Sequence, residues 1–140
     1  MSKKSYVLDS YALLCFFEDE KGAEIVEALL HEAQNTENAL YLNVINLAEI
    51  YYSIERRANE AKAIEIYNLL QAYSLKFVEV DAYLALVAAK LKAKHPIALG
   101  DCFCAATAKV FDATVVTGDP EFKSLEGGTD ILWLPPKPKK

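Results

Sequence analysis

Apolar and polar positions along this chain alternate between two periods. Short β-rich apolar runs are separated by longer stretches whose apolar residues return at i, i+3, i+4 and i+7. Residues 5–9 predict a short buried strand, and Ser10 then caps a helix running to about Glu18. Gly22 to Gln34 predicts a second helix, with Ile25, Val26, Leu29 and Leu30 at helical spacing. Ala39-Leu40-Tyr41-Leu42 predicts a strand. Asn46 opens a helix carrying Leu47, Ile50, Tyr51 and Ile54 on one stripe, and another helix runs from about Glu60 to Tyr73. Lys76 to Val80 predicts a strand; Asp81 caps a helix to about Lys94, and Pro96 ends it. Gly100-Asp101 opens a helix to about Phe111, and residues 113–117 form a strand. Pro120 to Leu125 is a short helical turn broken by Gly127-Gly128, and Asp130 to Leu134 is a last strand.

Strands alternating with helices predict an α/β fold. Its centre is a parallel sheet of about five strands with helices on both faces. Residues 1–134 read as one domain, with no internal repeat and no interdomain linker. Residues 135–140, Pro-Pro-Lys-Pro-Lys-Lys, cannot extend a sheet and are expected to form a mobile tail.

Composition narrows the classes. An apolar share of 53% and a charged share of 25% suffice for a packed core. No apolar run approaches the roughly 18 residues of a membrane span. Lys3-Lys4 followed by Tyr6 to Phe17 weakly imitates a signal peptide, but Asp9 interrupts it and no small-residue cleavage site precedes Glu18. Three cysteines (Cys15, Cys102 and Cys104) form no paired framework, which points to a reducing, cytoplasmic compartment. With only His31 and His95 to complete a site, they read as small buried apolar residues rather than zinc ligands. The net charge of −5 argues against a broad basic surface for nucleic acid while leaving room for a local basic rim.

Four acids stand where the chain turns a corner. Asp9 and Asp119 follow strands, and Glu49 and Asp101 lie early in helices. Each has an ordinary explanation as well. Asp9 precedes a helix, and Asn46 and Glu49 are spaced like a capping box. Asp101 suits the dipole of a first helical turn, and Thr117-Gly118-Asp119-Pro120 is common turn chemistry. Together they suggest more, because the carboxyl ends of parallel strands share one edge, where ligands bind. Carboxylates about 4 Å apart repel by about 4 kcal/mol at an effective dielectric of 20. Such a cluster protonates in part or binds a cation, and its oxygens suit Mg²⁺ or Mn²⁺.

These segments resemble the PIN-domain ribonucleases, and among them the VapC-type toxins of toxin–antitoxin pairs. The resemblance is carried by Val7-Leu8-Asp9-Ser10, Asn46-Leu47-Ala48-Glu49, Leu99 to Ala106 and Val115 to Phe122, and spans residues 5 to about 134. It implies a three-layer α/β/α fold with Asp9, Glu49, Asp101 and Asp119 as an acidic quartet. Asp9 and Asp101 would be the principal metal ligands. Glu49 and Asp119 would hold metal-bound waters or a second ion, and Ser10 and Thr117 would support the cluster by hydrogen bonding. It further implies metal-assisted hydrolysis of RNA, a homodimer, and a cognate antitoxin. Arg56, Arg57, Lys90 and Lys94 are candidates for gripping the RNA backbone, against the plainer role of a solvated helix face. The alternatives are a catalytically silent PIN-like binding module, which loss of an acid would signal, and a phosphoryl-accepting domain using Asp9. The second lacks a further acid two residues on, where Tyr11 stands. No glycine-rich phosphate loop is present.

Overall fold

A computed structural model describes residues 3–136. Five strands form one sheet in the order β3-β2-β1-β4-β5. They are β1 (Ser5–Leu8), β2 (Ala39–Asn43), β3 (Leu75–Val78), β4 (Thr114–Thr117) and β5 (Ile131–Trp133). All four pairings are parallel. Six α-helices connect them: α1 (Ser10–Phe17), α2 (Ala23–Asn35), α3 (Val44–Arg57), α4 (Glu60–Ala72), α5 (Ala82–Lys94) and α6 (Leu99–Phe111). A short 3-10 helix, Pro120–Leu125, precedes β5.

Alternation along the strands makes the layers. Successive strand residues point to opposite faces, so Val7 and Val115 enter one core while Leu8 and Val116 enter the other. On one face Leu8, Leu40, Leu42 and Val116 pack under α1 to α4, through Leu13, Val26, Ile50 and Leu70. On the other, Val7, Val78 and Val115 pack under α5, α6 and Phe122. This is the expected three-layer α/β/α arrangement around a parallel sheet. Helix α6 is buried from Gly100 to Ala108. Its Gly, Cys and Ala side chains are small, so it can lie close to the strands. All three cysteines are buried, as expected of small apolar residues. No helix among the described residues is long and apolar enough to cross a membrane.

Most element ends lie within a residue or so of the sequence expectation, and three differences have a clear physical cause. The cap of α1 is Asp9, not Ser10: Asp9 Oδ1 accepts from Ala12 N at 2.8 Å, and Ser10 is already helical. Helix α3 starts at Val44, two residues before Asn46, because Asn43 ends β2 and its Oδ1 accepts from Ile45 N at 2.8 Å. The capping box at Asn46 and Glu49 therefore does not exist. Strand β3 lies at Leu75–Val78 rather than 76–80, since its register pairs Leu75 with Leu40 and Val78 with Asn43, where β2 ends. Residues 137–140 of the expected tail lie outside the described residues.

Candidate functional site

Parallel pairing brings the ends of β1, β2 and β4 to one edge, and three of the acids arrive there by different routes. Asp9 leaves β1, Asp119 follows β4, and Glu49 projects from the second turn of α3. Asp101 comes from the first turn of α6. A buried chain of polar groups secures α6 beside β2. Asn43 Nδ2 donates to Thr107 Oγ1 at 2.9 Å, and Thr107 Oγ1 donates to Phe103 O at 2.8 Å.

Asp101 and Asp119 come together with a third acid, Glu121: each offers an oxygen within 4.8 Å of the others. Glu121 was absent from the sequence candidates. It lies two residues past Asp119 in the 3-10 helix, whose turn folds it back toward α6. Its Oε1 accepts from Ala98 N at 3.2 Å, capping a helix whose own N-cap residue, Ala98, offers no side-chain bond. The signal available was an acid two positions after Asp119, with Pro120 between them starting a turn.

Asp9 and Glu49 border this trio. Asp9 is 1% exposed. Besides its cap, its Oδ2 accepts from Thr117 Oγ1. Thr117 in turn accepts from Asp119 N at 3.0 Å, so the threonine links two acids. Ser10 is half-buried beside Asp9 at the start of α1. Glu49 is held from two sides. Asn46, fully buried, donates from Nδ2 to Glu49 Oε1 at 2.9 Å and to Gly100 O at 3.1 Å. A Cβ at Gly100 would fall on the Glu49 carboxylate, so that glycine leaves the room Glu49 occupies.

Electrostatics set this site apart from a set of caps. Burial pushes Asp9 up to about 8, against the pull of Thr117 and Ala12 N, with Asp101 and Asp119 adding to the rise. Burial likewise pushes Asp101 up to about 7, with Asp119, Glu121 and Glu49 adding to it. Asp101 Oδ2 is buried with no hydrogen-bond partner among the described residues, as is Asn46 Oδ1. A buried carboxylate oxygen that lacks a donor and faces like charges takes up either a proton or a cation. The donors are all carboxylate oxygens, a set that suits hard divalent ions.

The basic candidates separate. Arg57 ends α3 in a two-pronged pair with Glu18, at 2.5 and 2.9 Å. The Arg56 guanidinium lies 5.0 Å from the Tyr52 ring centroid. Lys90 and Lys94 lie elsewhere, on a groove between α5 and α6.

The model of the family described as the PIN domain matches residues 6–128. Among curated proteins none matches. Solved structures share the fold at low identity. A Rickettsia felis VapBC2 structure, bound to a DNA fragment from their promoter, aligns at 18% identity with TM-score 0.72, over 93% of this chain and 98% of that one. A toxin–antitoxin complex from Klebsiella pneumoniae aligns at 14% identity with TM-score 0.64, over 91% and 95%. Mycobacterium tuberculosis VapC20, a sarcin–ricin-loop-cleaving toxin, aligns at 12% identity with TM-score 0.70, over 89% and 95%.

Proposed function

This chain belongs to the PIN-domain family, and from that premise we propose that it is a divalent-metal-dependent endoribonuclease and the toxin of a toxin–antitoxin pair. The observation that carries the proposal is the buried, partnerless Oδ2 of Asp101 beside Asp119 and Glu121. Asp9, Glu49, Asp101 and Asp119 would hold Mg²⁺ or Mn²⁺, and Glu121 adds a fifth carboxylate. When bound, such an ion neutralises charge on a scissile phosphate and makes a water nucleophilic near neutral pH. The chain's own groups do the positioning. Thr117 holds Asp9, Asn46 holds Glu49, and Asp119 or Glu49 orients the attacking water, with Ser10 alongside. Arg56, Arg57, Lys90 and Lys94 are the proposed contacts to the RNA backbone. RNA as the substrate draws support from the Mycobacterium tuberculosis neighbour, which cleaves the sarcin–ricin loop.

The partners proposed are an antitoxin protein and a second copy of this chain, with residues 1–134 as the catalytic domain. The Klebsiella pneumoniae neighbour is a toxin–antitoxin complex. An apolar groove of about 450 Å³ on α3 and α4, lined by Leu47, Tyr51, Tyr52 and Tyr67, offers a protein partner a surface.

The test is cleavage of RNA by purified protein with Mn²⁺, Mg²⁺ or EDTA, beside Asp9→Asn and Asp101→Asn. Metal-dependent cleavage lost in both variants is the expected result. Equal cleavage by the variants would remove these acids from the mechanism. Inert wild-type protein that also binds no Mn²⁺ would make the chain a silent binding module.

A further inference from the structure

We propose that the groove between α5 and α6 is a binding track for the backbone of single-stranded RNA, separate from the carboxylate site. The proposal rests on the chain being a ribonuclease, and it narrows which cations do the gripping. The groove has a volume of about 480 Å³, and its walls carry Lys90, Lys94, His95 and Lys109, with Tyr83 and Val87 beside them.

Among the described residues Lys90, Lys94 and Lys109 form no ion pair. Three other cations are occupied. Lys62 pairs with Glu65 at 3.1 Å, Arg57 pairs with Glu18, and Lys92 Nζ donates to Ile97 O at 2.6 Å, clasping the turn after α5. Three uncompensated ammonium groups around one groove are unexpected in a chain of net charge −5. They repel one another, and an anion lying among them relieves that repulsion.

The shape favours a strand over a lone phosphate. Lys90 and Lys94 are one helical turn apart, about 6 Å along α5. Tyr83 to Lys94 covers about 16 Å of the same helix. Tyr83 is 66% exposed. It offers a ring on which a base can stack, and such stacking tolerates any sequence. A duplex would want a wider basic surface than one groove. Helix α6 connects the track to the chemistry, since it carries Asp101 in its first turn and Lys109 in its last, about 12 Å apart along the axis.

The experiment measures binding of the full chain to a short 2′-O-methylated single-stranded oligoribonucleotide in EDTA, across a salt titration. The proteins are wild type, the triple variant Lys90→Ala/Lys94→Ala/Lys109→Ala, the double variant Arg56→Ala/Arg57→Ala, and Tyr83→Ala. Circular dichroism melts and the mass in solution accompany each. The triple variant, folded and of unchanged mass, is expected to bind at least about tenfold more weakly. The slope of log affinity on log salt should flatten by about 2, at ~0.7 per phosphate contact. Tyr83→Ala is expected to weaken binding without changing the slope, and the arginine variant to lose less affinity and less slope than the triple variant. Wild-type affinity and slope in the triple variant would overturn the track. So would loss of binding together with a change of mass, which would make the groove an interface between copies. Parallel cleavage assays with Mn²⁺ separate the two proposals. A wild type that cleaves beside a triple variant that binds normally removes the track alone. A triple variant that loses binding beside an inert wild type removes the nuclease and keeps the track.

Discussion

Asp101 is the residue where burial and chemistry conflict most openly. It is 8% exposed and pushed up to about 7, and one of its oxygens has no hydrogen-bond partner among the described residues. Asp101→Asn keeps the shape and removes the charge. Cleavage should fall by roughly 100-fold or more if the carboxylate holds the ion, while the metal-free protein melts no lower than wild type. Assaying both on one preparation distinguishes a ligand from a structural group. Asn46 and Gly100 test positioning. Asn46→Ala deletes two hydrogen bonds in a buried setting. It should cost about 1–3 kcal/mol in urea unfolding and slow cleavage by about 10–100-fold. Gly100→Ala displaces the carboxylate of Glu49, the far end of a flexible side chain. It should reproduce the slower cleavage with little loss of stability. If Gly100→Ala cleaves like wild type, the seat of Glu49 beside Gly100 is not catalytically important.

At the level of elements, caps decided where the helices begin, and each candidate cap had to be weighed against a strand that was still running. Asp9 and Asn43 both end strands and cap the helices that follow. Ser10 and Asn46, the residues with the plainer capping pattern, are already inside. Hydrogen bonding of the strand to its neighbours settles the matter, and no local pattern reports it. Asp81 is the contrasting case. Its Oδ1 accepts from Leu84 N at 2.8 Å, as its position before α5 suggested. Asp81→Ala should cost about 1 kcal/mol of unfolding free energy and leave cleavage unchanged, since Asp81 caps a helix and joins none of the acids. A change in cleavage rate at full stability would show that α5 is coupled to the site.

Across the whole molecule the buried acids tie stability to pH. Asp9 and Asp101 are both raised from 3.8, to about 8 and about 7. Well below pH 3.8 both carboxyls are protonated in the folded and unfolded chain alike. As pH climbs, the unfolded chain ionises first, so the folded form binds more protons and loses stability until its own carboxyls ionise near 7 and 8. The metal-free melting temperature should therefore drop by several degrees between pH 6 and pH 9. An Asp9→Asn/Asp101→Asn variant should show a flatter profile. Millimolar Mg²⁺ or Mn²⁺ at pH 8 should raise the wild-type melting temperature by mass action and leave that variant unmoved. A flat metal-free profile in the wild type would contradict the raised carboxyls. The alternation of β-rich and helical periods determined the α/β class, the strand count and the order of the elements, because burial of one face leaves its period in the residues themselves. Positions at strand ends and early in helices marked Asp9, Glu49, Asp101 and Asp119 as candidates, and the resemblance implied that they act as one quartet. Tertiary structure alone decided that Glu121 stands with Asp101 and Asp119, that Asn46 serves Glu49 rather than a helix cap, and that among the described residues Arg57 is paired while Lys90 and Lys94 are not. Those facts depend on which strands pair and how closely α6 packs against them, and such contacts join residues far apart in the chain.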